Sequence, residues 1–366
     1  MAIIDIVSGD IFLTVSDAIA NSNPGAIIQL PAGTYSEDFP KIRHDLTLQG
    51  VGGLARLTPL PTLNPQPGDP VYQAPTNGQG ILVTRANVTL DHLELTGAAV
   101  PDMNGAGVRY ETGSLTITHS WLHGNQNGLL ANPNPGASIT IAHSEFDHNG
   151  AGDGQSHNLY VGQIGTLTLT DSYFHDANVG HEIKSRAEVT TITGTRIQDG
   201  PGAATSYSVD LPNGGIVAIT GNIITKGPDA LNWFIFHFGG EGDATPGNPL
   251  LTTTYPGSSL LISDNLITSD LPNADAGGLV DHPALLAQGG DANSQIILPT
   301  ITGNMFRHIP AEQVLYGPLN GQMQYYPGGA YLNDNSFDVP EPATAVLLVI
   351  ALAAGVLIRR AALRNA

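Results

Sequence analysis

From Asn87 onward the chain repeats one short pattern: an apolar position, a polar turn, and a second apolar position five residues after the first. The segments NVTLDHLELTG, SLTITHSWLHG, SITIAHSEFDH, TLTLTDSYFHD, TTITGTRIQDG, IVAITGNIITK, LLISDNLITSD and TITGNMFRHIP all carry it. The first apolar file is Leu90, Ile117, Ile141, Leu169, Ile192, Ile219, Ile262 and Ile301, in steps of 27, 24, 28, 23, 27, 43 and 39 residues. The second is Leu95, Leu122, Phe146, Phe174, Ile197, Ile224, Ile267 and Phe306, continued by Phe337. Between them Ser120, Ser144, Ser172, Thr195, Asn222, Asn265 and Asn304 recur at a turn, where short polar side chains bond neighbouring backbone. Parallel strands stacked in register place like residues on like, so two matched apolar files predict a solenoid with one coil per repeat. A β-sandwich also has short strands and turns, but no such pair of files. The two long steps predict loops projecting after Phe238 and around 269–295.

A third strand per coil is written in Val108, Leu129, Leu159, Ile183 and Val209, in steps of 21, 30, 24 and 26. Side chains alternate across a strand, so the flanking residues are expected to point outward. One outward file is then Gly107, Gly128, Asn158, Glu182 and Ser208; the next is Arg109, Leu130, Tyr160, Lys184 and Asp210; beyond it come Glu111, Asn132, Gly162 and Arg186. His157, His181 and Tyr207 take the inward parity where the strand begins, in position to support a site.

Ahead of the repeats, Thr14 followed by VSDAIANS predicts a short capped helix, ended by Asn23-Pro24-Gly25. AIIQL, the turn Pro31 to Tyr35 and DLTLQGVGG follow, and residues 54–80, rich in Pro and Gly, read as a long loop. Helix, strand, turn, strand and glycine turn in this order resemble the opening coil of pectate-lyase-like right-handed parallel β-helices. There the helix covers the end of a stack that would otherwise expose core and sheet edge. The resemblance implies an all-β right-handed solenoid over about residues 1–338, with a short N-terminal capping helix.

Composition narrows the partners. Charged residues are 12% of 366, with 44 Gly and 26 Pro, which suits short strands joined by tight turns. A net charge of -19 excludes a nucleic-acid partner, since no cationic field exists to release counterions. The absence of cysteine excludes disulfides and thiolate chemistry. A monomer is expected.

The C-terminus carries a second resemblance. Val339-Pro340-Glu341-Pro342 precedes an uncharged stretch at 343–358, and Arg359, Arg360 and Arg364 follow. This order resembles the PEP-CTERM sorting signal of Gram-negative bacteria. It implies a transmembrane helix at 343–358, the exosortase machinery as a partner over 339–366, and export to the cell surface or beyond. The N-terminal stretch MAIIDIVSGDIFLTVSDAIA has neither a basic leader nor an apolar core of signal-peptide type, so export is inferred from the other end.

Only 13 Lys and Arg exist in the chain, and Arg109, Lys184 and Arg186 fall together on the third strand's outer face. That local concentration is where an anionic sugar would dock. ALNWFIFHF at 230–238 adds Trp233, Phe234, Phe236 and Phe238, whose faces suit sugar rings, although alternation cannot turn all four outward. Substrate contacts are thus expected from Arg109, Arg186, Asp210, Tyr207, Trp233 and Phe236. His92, His119 and His143 form a file at the turn, with His123 and His175 nearby; the file reads as an exposed ridge rather than a metal site.

Cleaving a uronate chain by β-elimination needs a cation for the carboxylate, a base for the adjacent proton and an acid for the leaving oxygen. Lys184 beside Arg186 is the expected base, Tyr160 acts as acid or base, and His181 is the second choice of base. Asn158 and Glu182 are expected to hold the carboxylate through a Ca²⁺ ion, which favours oxygen ligands. The set resembles β-helical polysaccharide lyases that pair a strand lysine with a tyrosine or arginine beside an Asn/Glu calcium site. It departs from them where an arginine is expected one coil beyond the lysine: Tyr207, Ser208 and Asp210 stand there. Two other readings stay open. One is an inverting glycoside hydrolase using Glu182 and Asp210 across roughly 7–8 Å; the other is a surface protein that binds or builds a glycan matrix without catalysis.

Overall fold

The computed structural model describes residues 2–60, 78–239, 255–272, 286–288, 298–309, 311–319, 322–325 and 332–337. Residues 339–366, where a sorting signal and a transmembrane helix are expected, lie outside the described residues, as does most of the two expected loops. Among the described residues no helix is long and apolar enough to cross a membrane.

The chain is an all-β parallel solenoid. From Val88 onward the described coils typically contribute two short strands to a 22-stranded sheet and one to a 10-stranded sheet, whereas Ala26–Ser36 and Leu46–Thr58 are single long strands of the larger sheet. Both apolar files stack as read: Leu90 pairs with Ile117, Ile117 with Ile141, and so on to Ile301, while Leu95 continues rung by rung to Phe306 and Phe337. Phe146 and Phe174 lie face to face at 4.9 Å, fully buried. At roughly 25 cal/mol per Å² of apolar surface, such continuous files are the main source of stability.

The turn between the files needs a left-handed residue in each coil. His92, His119, His143, Asp171, Gly194, Gly221, Asp264, Gly303 and Asp334 supply it, with φ between 46° and 68°. From Ser120 onward the next residue builds the polar ladder: Ser144 Oγ accepts from Ser120 N at 3.2 Å, and Asn222, Asn265, Asn304 and Asn335 carry the same bond onward. Each side chain thus satisfies the backbone of the coil below it, which removes the cost of burying that N–H.

Both ends of the described stack carry antiparallel pairs. Ile3–Asp5 runs antiparallel to Ala26–Ser36, and Leu315–Leu319 to Gln322–Tyr325. Val15–Asn21 is the capping helix, with Thr14 Oγ1 accepting from Asp17 N. Two boundaries differ from expectation. The strand Leu46–Thr58 continues into the stretch read as loop, because Ala55 and Leu57 pack into the core opposite Leu93 and Leu95. A further strand, Leu286–Gln288, extends the 10-stranded sheet beyond Phe236–Phe238 inside the region read only as projecting loop.

Candidate active site

The 10-stranded sheet positions the site. Leu159 pairs with Ile183 and Ile183 with Val209, all fully buried, so Tyr160, Lys184, Asp210 and His237 form one outward column on successive rungs. Asp210 is its anchor. Lys184 Nζ lies 2.6 Å from one carboxylate oxygen, His237 Nδ1 lies 2.6 Å from the other, and His181 Nε2 is 3.3 Å away. Hydrogen bonding from His237 and the nearby Lys184 charge hold the Asp210 carboxyl well below the usual range, overcoming the opposing effect of its burial.

A second column stands beside the first. His157, His181 and Tyr207 stack at 4.6 and 5.4 Å, and the Tyr207 ring reaches His237 at 5.1 Å. Their backbones interlock as well: His181 N donates to His157 Nδ1, and Tyr207 N to His181 Nδ1. A neutral His181 therefore carries its proton on Nε2, facing Asp210, and burial pushes its pKa down to about 4. His181 has no free lone pair, so it is not the base the sequence suggested; it positions Asp210. His157 is likewise held neutral by burial.

On the other side, Arg186 Nε donates to Tyr160 Oη at 3.1 Å and its Nη1 donates to Asn213 Oδ1 at 2.7 Å. Tyr160 also borders a cavity of about 370 Å³ lined by Arg109, Leu130, Asn132 and Gln155 among others. Arg109 Nη2 donates to Asn132 Oδ1 at 2.6 Å, fixing the guanidinium at the cavity wall. Tyr160 thus stands between an arginine-lined cavity and the Lys184–Asp210 pair.

Asn158 and Glu182 do not join this face. Both are fully buried and belong to an interior polar file in which Asn125, Asn149, Asn158 and Glu182 bond in sequence. Simple alternation fails because the chain bends into the strand here, so Asn158 and Leu159, and likewise Glu182 and Ile183, both turn inward. Gly128 marks the crowding: a Cβ there would lie 2.4 Å from the Asn158 carbonyl oxygen and 2.9 Å from Phe146. The Asn158 oxygen accepts from Asn149, and the Glu182 oxygens accept from Ala177 N and Asn158. These residues do not fit a calcium ion facing a substrate.

Burial, then neighbouring Asp199, raises the Glu182 carboxyl well above its ordinary range. The fully buried Lys226 sits near both carboxyls and is pushed down to about 8 by burial. Glu182 and Asp210 lie on opposite sides of the sheet, so they cannot flank one glycosidic bond; this removes the hydrolase pair. Phe236 is also corrected: it is fully buried in the core file with Val209. Trp233 is about half exposed, and Tyr207 is partly exposed against His237. His237 and Asn213 were missed, although His237 follows Asp210 by 27 residues, a step within the repeat's own range.

The structure is similar to that of an alginate lyase from Paenibacillus sp. str. FPU-7, with a TM-score of 0.51 and 15% identity over 89% of this chain and 96% of that one. Pectin methylesterases match less well: the rice weevil protein gives 0.42 and 14% identity over 80% of this chain and 84% of that one. The Yersinia enterocolitica protein gives 0.31 and 12% identity over 89% and 91%. At these identities the alginate lyase likeness concerns the fold, a parallel β-helix. No protein-family model and no curated protein matches the chain.

Proposed function

We propose that this protein is a polysaccharide lyase that cleaves a uronate-containing chain by β-elimination on the outer face of the 10-stranded sheet. The observation that carries this reading is the in-register pair Tyr160 and Lys184, with Arg186 on the phenolic oxygen and the Arg109 cavity alongside. Arg109 meets the uronate carboxylate. Tyr160 Oη, which accepts a hydrogen bond from the Arg186 guanidinium, takes the proton from the carbon next to that carboxylate. The released electron pair forms a carbon–carbon double bond, the glycosidic C–O bond on the neighbouring carbon breaks, and Lys184 gives the leaving oxygen a proton. Lys184 is the donor rather than the base because its partner, 2.6 Å away, is an anionic and almost fully buried Asp210. Positioned acid and base of this kind each contribute about 10²–10⁴-fold.

The test is incubation of the full-length protein with alginate, pectate, glycosaminoglycans and bacterial exopolysaccharide. The lyase reading expects the ultraviolet absorbance of unsaturated uronate ends on at least one of them. New reducing ends without unsaturation, or binding without new ends, would reject it. The reading also has the protein exported to the surface of a Gram-negative cell through exosortase processing of 339–366, which Val339-Pro340-Glu341-Pro342 and the arginines behind it support. Cell fractionation of the native protein, with the mass of its C-terminus, checks that step.

A further inference from the structure

A second group of side chains lies on the 22-stranded sheet, outside the site described above. The strands Glu145–Asp147 and Tyr173–His175 are paired, with Asp147 directly beside His175. His148 follows Asp147 in a left-handed conformation, φ 49°, which swings its ring back so that Nδ1 meets Asp147 Oδ2 at 2.6 Å. One ligand atom each from Asp147, His148 and His175 falls within 4.8 Å of the others. The two imidazoles are nearly perpendicular, at 86° with centroids 6.0 Å apart. One ion can therefore lie near both ring planes after a small closure of the exposed His148.

The groups behind these atoms are already arranged. Trp121 Nε1 donates to Asp147 Oδ1 at 2.5 Å, which pins the carboxylate and turns Oδ2 towards His148. Asp176 Oδ2 lies 2.7 Å from His175 Nδ1 and Glu145 Oε1 lies 3.1 Å from its Nε2, so an ion at Nε2 would be shared between His175 and Glu145. Carboxylate–imidazole–metal order of this kind fixes tautomer and ring direction in metal sites. A second group, Asp91, His92 and His119, passes the same distance test but not the same geometry. His92 and His119 are stacked at 4.7 Å and 18°, so no point lies in the plane of both rings.

We propose that Asp147, His148 and His175, with Glu145 as a fourth donor, bind one divalent first-row transition ion such as Zn²⁺, tying adjacent coils together. Two imidazole nitrogens beside carboxylate oxygen select this class over Ca²⁺ or Mg²⁺.

The test is titration of the purified full-length protein with Co²⁺, read by its visible absorption, together with equilibrium dialysis against Zn²⁺ and the thermal midpoint. One equivalent is expected to bind with a visible band, to raise the midpoint, and to resist a large excess of Ca²⁺. His148→Asn, a substitution that keeps the left-handed turn at an exposed position, is expected to weaken binding at least 10-fold. Asp176→Asn is expected to weaken it about 10-fold through His175, and His119→Asn to leave it unchanged. No band and no midpoint shift with the wild type, displacement by Ca²⁺, or equal affinity in His148→Asn would overturn the assignment.

Discussion

The outer surfaces of the two sheets differ in what they repeat. On the 22-stranded sheet one outward column reads Thr47, Thr89, Thr116, Thr140, Thr168 and Thr191 on consecutive rungs. The corresponding column of the 10-stranded sheet reads Arg109, Leu130, Tyr160, Lys184, Asp210 and His237, with no residue used twice. Like residues on neighbouring rungs suit stacking, and threonine is uncharged and β-branched, so it can repeat without like-charge repulsion. Charged side chains cannot repeat about 4.8 Å apart without that repulsion. The variable column instead alternates cation, anion and imidazole, at the cost of strong mutual dependence. One wall is built for stacking, the other for chemistry, and substitutions should affect them very differently.

The largest difference is expected at Asp210. Asp210→Asn leaves Lys184 facing a neutral amide and takes the partner from His237; breaking such a buried pair costs about 3–5 kcal/mol, read by denaturant unfolding. A loss below about 1 kcal/mol would mean that the pair is not the organising contact of this face.

That dependence also explains what was legible in the sequence. The three apolar files, the turn ladder and the Thr14 cap could all be read because each is a repetition or a capping signal, and repetition survives without coordinates. The Tyr160–Lys184 pairing followed from the same periodicity. What could not be read was direction at the bend before each third strand. Asn158 and Glu182 looked outward by alternation and are inward, because two successive residues face the core there. Leu286–Gln288 was hidden for a different reason: the long step from Phe236 to Leu286 that precedes it breaks the spacing.

A smaller effect is expected in the pH dependence of stability. His181 ordinarily titrates near 6.5, and in the folded chain near 4, so the unfolded chain takes the proton first. Its contribution is full above pH 6.5 and is lost as pH falls through that window, amounting to roughly 2–4 kcal/mol. Glu182 works in the opposite direction, because its raised pKa costs stability as pH rises above the ordinary carboxyl range. Comparing wild type with His181→Gln cancels that contribution. The variant's stability should fall less steeply between pH 6.5 and 4, and equal slopes would show that His181 is not held neutral. The smallest effect is expected on the repeating wall. Thr168→Ala should change stability by no more than about 0.5 kcal/mol, and a larger loss would place more of the fold's stability in the outward threonines.

The central claim is that Tyr160 and Lys184, one rung apart, act on the same bond. Its most direct test is the initial rate of unsaturated-end formation for wild type, Tyr160→Phe, Lys184→Ala and the double variant on the polysaccharide that the wild type cleaves. Each single variant is expected to lose about 10²-fold or more, and the double variant little beyond the worse single, because acid and base serve one step. Wild-type rates in either single variant, or losses that simply multiply, would contradict the account.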